Sequence, residues 1–316
     1  LYGRKNPFWK KKLLFWKKKS FLEEKKLLSG RKNPKPSYKF YKKFPCVGVL
    51  DADNAFGHAA GMKSIDLGEK IAIDNGIGLV AVINSSHSGS MAGMALKGAE
   101  KGFITFAFTH ADSLMLSYNG KKPYFGTNPI CMAAPRENDE PYCLDMATTM
   151  ISWNKLMSFK DNNIPIKDNL ASDSEGNATT NLDLASSLLP IGDYKGFGLA
   201  SMVEVLCGVF TGMSFGTSIP PMYTSSMKKT RNLGQVYLLL RVDGCIEKEL
   251  FLKRLKQMTE EVRNQPSNNK NGVMLPNDPE IKFSKERLKN GIPVDNKIYE
   301  ELKNLSDNYQ IKLNFR

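Results

Sequence analysis

The chain has 316 residues, enough for one large domain or two ordinary ones, and is 41% hydrophobic and 24% charged. That balance excludes collagen-like, wholly disordered and disulfide-scaffold classes. The net charge of +13 belongs to one tract: residues 1–43 hold 16 Lys and Arg against 2 Glu, whereas the rest holds 29 basic and 30 acidic residues. The body of the chain is therefore neutral, and no nucleic-acid partner is expected of it.

Residues 1–43 repeat short fragments: GRKNP at 3–7 and 30–34, FWKKK at 8–12 and 15–19. Solenoid units need about 20–50 residues, so these are not a structural repeat. A solvated, disordered or divergent tail, or a mis-assembled start, is the favoured reading, and Leu1 in place of Met leads us to expect a fragment. A basic arm for nucleic acid or a membrane surface is the alternative.

From residue 44 the chain reads as one unit of residues 44–316, with a central part at about 77–242 and terminal helices at about 247–308. Residues 47–50 are a short apolar run before a turn at 51–54. Apolar spacing predicts a helix over 59–75, stopped by Gly76. The run at 77–83 (IGLVAVI) predicts a strand buried on both faces. A helix over 90–101 stops at Gly102, and a second buried strand follows at Phe103–Thr109. This strand–helix–strand succession predicts an α/β layer with some parallel pairing.

Further strands are expected at Ile130–Ala134, 142–145 and 236–242. Helices are expected from 148 to about 160 and from 197 to about 211, with polar connections at 160–180 and 213–231. An amphipathic helix at 247–264 and two charged helices near Asp278–Asn290 and 296–308 close the chain. The longest apolar stretch, 197–215, carries Glu204, and a central charge costs about 3 kcal/mol on membrane insertion. A core helix is expected there and no membrane partner. The five cysteines, odd in number and without a Cys-x-x-Cys, read as buried free thiols in a reducing, cytoplasmic setting, with no metal site.

Four polar clusters sit at the edges of apolar runs. His87, one of three histidines, lies in NSSHSG (84–89), between a buried strand and a helix. Strand ends of this kind place ligand-binding groups, while Ser86 or Ser88 could simply cap the helix. GTNP (126–129) contains Thr127 and Asn128 and could be a plain turn. Asp145, Met146, Ala147 and Thr148 pass from strand to helix, where capping is the alternative. GDYKGFG (192–198) sets Lys195 and Gly196 at the positive end of a buried helix, a poor place for a cation unless it meets an anion. Neither Gly-x-Gly-x-x-Gly nor a Walker A loop occurs.

In order and spacing these segments resemble the malate/L-lactate dehydrogenase family of NAD(P)-dependent 2-hydroxyacid oxidoreductases. The stretches are LDADNAFG (50–57), NSSHSG, GTNP, LDMATT (144–149), YKGFGLA (194–200), RNLGQ (231–235) and LPNDPE (275–280). The resemblance runs from about residue 27 to the C-terminus, and RNLGQ is nearest to ureidoglycolate dehydrogenase-like members. It implies an α/β fold with a mixed sheet, flanking helices and a non-Rossmann dinucleotide groove, as a homodimer.

It also implies hydride transfer between a 2-hydroxy acid of the malate, lactate or ureidoglycolate kind and NAD or NADP. His87 would be the acid/base, with Asp145, Met146, Ala147 and Thr148 on the nicotinamide side. Lys195 and Gly196 would reach phosphate or ribose, Asn277 and Asp278 would close over the cofactor, and Ala111, Asp112, Thr127 and Asn128 would add contacts. The family's N-terminal Asp-Ser-His-Gly motif and following Arg have no match before His58. A catalytically impaired dinucleotide-binding homologue is therefore the alternative.

Overall fold

The computed structural model describes residues 35–312 except 223, 226–228 and 295. Most of the basic tract lies outside these residues. Its end, however, is strand β1 (Lys39–Phe44), which pairs antiparallel with β2 (Val47–Asp51). A boundary at residue 43/44 thus falls inside a strand. Lysines on this outermost strand suit an edge that must not recruit another chain.

Helix α1 (Gly57–Asn75) ends where Gly76 turns left-handed and its N–H bonds Ala72 O. β3 (Ile77–Ser85) then pairs parallel with β2. Helix α2 (Ala92–Glu100) leads to β4 (Phe103–Thr109), followed by the short strands β5 (Met115–Leu116) and β6 (Pro123–Phe125). The hairpin of β7 (Ile130–Ala134) and β8 (Tyr142–Met146) precedes helix α3 (Trp153–Asp161). α3 starts five residues later than the apolar spacing predicts. Ser152 caps it by accepting from Lys155 N, and Thr149 is held in a bridge to Pro190.

The stretch 160–180, expected to be only a connection, carries β9 (Ala171–Ser172) and β10 (Ala178–Thr179), and β11 (Ser187–Leu188) follows it. With β5 and β6 they form a second sheet, ordered β10-β9-β11-β5-β6. Its core is Leu156, Ala171, Leu188, Ile151 and Ile166. Helix α4 (Tyr194–Glu204) begins three residues before the expected start and widens into a π turn at Val205–Val209. β12 (Leu233–Arg241), α5 (Lys248–Arg263), α6 (Asp278–Asn290) and α7 (Asn296–Tyr309) complete the described chain.

The main sheet has the order β1-β2-β3-β12-β4-β7-β8. β12 lies antiparallel between β3 and β4, so those two strands run the same way. Helices α1 and α2 cover one face, packing Ile65, Ala72, Met94 and Ala95 on Val80, Val82, Ala107 and Leu239. Val203 and Cys207 of α4 and its π turn cover the other face against Val236. Burying both faces explains the uninterrupted apolar runs of β3 and β4.

All five cysteines are free thiols; Cys131, Cys143 and Cys207 are buried, Cys46 is half-buried, and Cys245 is exposed, against the expectation of burial. No helix among the described residues is long and apolar enough to cross a membrane.

Candidate functional site at one end of the sheet

The strand registers bring the polar clusters to a single end of the main sheet. β3 ends at Ser85 opposite Leu233, the first residue of β12. β4 ends at Thr109 opposite Gln235. β7 starts at Ile130, paired with both Phe108 and Met146. The turns 52–57, 84–91, 110–112, 126–129 and 147–149 therefore share one rim. His87, Ala111, Asp112, Thr127, Asn128, Asp145, Met146, Ala147 and Thr148 all stand on it or next to it.

The His87 turn is exposed at the side chain and buried beneath it: His87 is exposed, while Ser85, Ser86 and Ser88 are buried. β3 bulges just before it, the register with β12 shifting between Leu233 and Gln235. Asn84 there takes a left-handed φ of 52°. A bulge of this kind bends the strand and re-aims the residues that follow. Ser86 does not cap α2. Its hydroxyl accepts from Gly57 N at 3.2 Å and donates to Ala55 O at 2.9 Å, so it ties down the start of α1. Ser88 turns inward to Met91 Sδ.

The carboxylate that holds α2 comes from elsewhere in the chain. Asp145 Oδ2 accepts from Ala92 N and from Ser90 Oγ, both at 2.8 Å. A carboxylate at a helix N-terminus satisfies an otherwise unbonded N–H and meets the positive end of the dipole. Asp145 thereby locks the loop that follows His87 to the end of β8. His58, on the first turn of α1, lies beside Gly93 on the first turn of α2. Desolvation lowers its pKa although the residue is exposed.

The neighbouring wall is built from main chain. Thr148 N and Oγ1 both donate to Thr127 O, at 2.9 and 3.0 Å, and Ile191 N donates to Thr148 O at 2.9 Å. Gly196 lies against Ile191, where a Cβ would sit 2.3 Å from its carbonyl oxygen. Thr127, Thr148 and the start of α4 are thus stitched together. Lys195 projects from that helix start into solvent, and no carboxylate among the described residues pairs with it. The first turn of α4 has no acidic residue and no side-chain cap.

Besides Thr148, which is fully buried, two more of the expected contact side chains are committed inward. Asn128 is fully buried: Oδ1 accepts from Ala111 N at 3.2 Å, while Nδ2 donates to Ala200 O at 3.0 Å and Glu204 Oε2 at 2.7 Å. Asp112 is buried in an ion pair with Arg231 and also accepts from Met222 N at 3.0 Å. Their side chains hold the wall in shape, leaving main chain and neighbours to face a ligand. Asn277 and Asp278 do not join the rim. They sit by the β7–β8 turn, where Asn277 Nδ2 donates to Pro141 O at 2.8 Å and Asp278 pairs with Arg263 at 2.6 Å. Four residues of strand, about 13 Å, separate that end of β8 from Met146.

Residue-by-residue reading passed over His58, Gln235, Tyr237 and the role of Glu204. Gln235 and Tyr237 are polar groups two apart in an otherwise apolar strand, hence on one face. That pattern was the available signal. Glu204 is buried and accepts from Gly216 N at 2.7 Å as well as from Asn128. His110, with Nε2 accepting from Gly234 N at 3.0 Å, stands 3.6 Å from the same carboxylate. No group of three or more His, Cys, Asp or Glu among the described residues could hold a metal ion.

The sequence model of the malate/L-lactate dehydrogenase family matches residues 24–303. Ureidoglycolate dehydrogenase (NAD(+)) of Escherichia coli (strain K12) is 33% identical over 279 residues, 88% of this chain and 79% of the relative. Malate dehydrogenase of Pyrococcus horikoshii is 30% identical over 291 residues, 89% of this chain and 79% of the relative. The structure superposes on sulfolactate dehydrogenase from Methanocaldococcus jannaschii with a TM-score of 0.79 at 28% identity, covering 88% of this chain and 80% of that one. The mixed sheet, the polar rim and these likenesses agree: the chain belongs to the malate/L-lactate dehydrogenase family and is a hydroxyacid dehydrogenase.

Proposed function

We propose that the chain interconverts a 2-hydroxy acid of the malate, lactate or ureidoglycolate kind and its 2-oxo acid, with NAD or NADP as partner and His87 as acid/base. The observation that carries this reading is the single rim shared by the exposed His87, the Asp145–Thr148 segment and the Thr127 wall. The name of the Escherichia coli relative favours NAD. The names of the other relatives extend the substrate class to malate and sulfolactate.

The nicotinamide, when bound, supplies the hydride chemistry, and the chain supplies orientation and proton handling. His87 takes the hydroxyl proton in oxidation and returns it in reduction, a task suited to an imidazole titrating near neutral pH. Asp145 keeps the loop beneath it still. Met146, Ala147 and Thr148 line the nicotinamide side, with Thr127 and Ala111 beside them. Lys195 and the start of α4 beside Gly196, which has no side-chain cap, fit the phosphates, because an anion there meets both the ammonium and the helix dipole. The far part of an extended dinucleotide would run along β8 toward Asn277 and Asp278.

A homodimer completes this reading. The outer face of α4 and its π turn exposes Met202, Val205, Val209 and Phe210, an apolar stripe of the kind that self-complementary interfaces cover. Free Cys131 and Cys143 suit a reducing, cytoplasmic setting. His87→Ala tests the assignment: turnover of a 2-oxo acid panel should vanish while reduced-cofactor fluorescence reports an affinity within a few fold of the parent. Retained turnover would refute the acid/base role, and loss of cofactor binding would make the residue a structural one.

A further inference from the structure

We infer that Gln235, clamped by Tyr237, is the positioning residue that sets where His87 points; the inference rests on the acid/base reading of His87. Gln235 is completely buried in β12, directly beneath the β3 bulge. Its Nε2 faces three acceptors: Ser85 Oγ at 3.0 Å, Gly57 O at 3.3 Å and Ser86 O at 3.4 Å. Two of these immediately precede His87, and the third opens α1. Its Oε1 accepts from the Tyr237 hydroxyl at 2.6 Å.

The amide can sit only one way round. Reversed, its oxygen would face the Gly57 and Ser86 carbonyls, two acceptors against a third. Tyr237 strengthens that choice, since burial pushes its phenol pKa well up and keeps its proton available to donate. Two glycines one turn apart on α1 leave room for this pair. A Cβ on Gly57 would lie 2.1 Å from Ser86 O, 2.7 Å from Gln235 Nε2 and 2.7 Å from the His87 carbonyl carbon. A Cβ on Gly61 would lie 2.3 Å from the Tyr237 hydroxyl. The backbone of α1 therefore rests directly on the turn, with Gln235 bonding both sides of the contact. Without that bond, the bulge has no side chain from β12 to hold Ser85 and Ser86.

Gln235→Leu, Gln235→Glu and Tyr237→Phe test this on the full chain. With only three histidines, spectra of isotope-labelled imidazoles resolve His87, assigned by its loss in His87→Ala. Melting and circular dichroism confirm that each variant is folded, and Tyr237→Phe, which removes one oxygen, remains informative if Gln235→Leu is not. Expected are a displaced His87 resonance and titration in all three. kcat should fall about 10- to 100-fold with KM within about twofold, the size of effect that a misplacement near 1 Å produces. In Gln235→Glu the loss should shrink as pH falls, because only a protonated carboxyl can donate to Ser85 or Ser86.

Unchanged His87 resonances and titration in folded Gln235→Leu and Tyr237→Phe would overturn the inference, whatever the activity. Displaced resonances together with an active His87→Ala would uphold Gln235 as the holder of the turn. That outcome would overturn the acid/base assignment instead.

Discussion

Removing the Asp112 carboxylate should expose how much the rim depends on one buried ion pair. Asp112 and Arg231 are 5% and 3% exposed, and the pair joins the end of β4 to the segment entering β12. Arg231 Nε also donates to Pro220 O at 3.1 Å, and Met222 N donates to Asp112 at 3.0 Å, so Pro220 and Met222 are tied to the end of β4 through these two side chains. Asp112→Ala leaves a buried guanidinium without its carboxylate, a change that costs about 3–5 kcal/mol. At this chain length that corresponds to a Tm lower by roughly 5–8 °C. The double change Asp112→Leu with Arg231→Met removes both charges and should recover most of the loss, since buried pairs are often replaceable by apolar groups of similar volume. Urea unfolding followed by circular dichroism and by tryptophan fluorescence measures both, and coincident curves justify reading a free energy. The reasoning fails if Asp112→Ala stays within about 1 kcal/mol of the parent, or if the double variant is as unstable as the single one.

Asp278→Asn should flatten the acid dependence of stability. The hydrogen bond from Arg263 holds the Asp278 carboxyl below its usual range, so its contribution is full above the unfolded value near pH 4 and is lost as pH falls through the lower folded value. Urea midpoints between pH 6 and pH 3 check this, and an unaltered slope in the variant would contradict it. Asp145→Ala should destabilise the start of α2 by about 1 kcal/mol, the usual worth of a cap. It should also raise hydrogen exchange at Ala92 N selectively, and equal exchange in the two proteins would show that the cap contributes nothing.

What could be read before folding was whatever local chemistry decides. β4 matches its expected bounds because a continuous apolar run admits only a doubly buried strand, and α1 ends at Gly76 because glycine alone turns left-handed there without strain. The second sheet was invisible, since strands of two or three residues leave no periodicity to detect. Capping partners were misassigned for a related reason. Asp145 serves a helix that begins 53 residues earlier, and Ser86 serves one that begins 29 residues earlier. Local pattern suggests that a residue needs a partner and is silent about which distant backbone group will arrive. His87 was legible as a strand-end residue, whereas Gln235, which holds its turn from 149 residues away, could be connected to it only through the β12 register.

The placement of β12 also has a consequence during synthesis. A nascent chain that has reached residue 230 contains β3 and β4, but the strand that joins them, Leu233–Arg241, has not yet left the ribosome. Until it does, two long apolar strands present open edges that any neighbouring chain could pair with, and closing them requires contacts separated by about 150 residues. Productive folding of this enzyme must therefore wait for its last third, and the interval before that is when chaperones matter most.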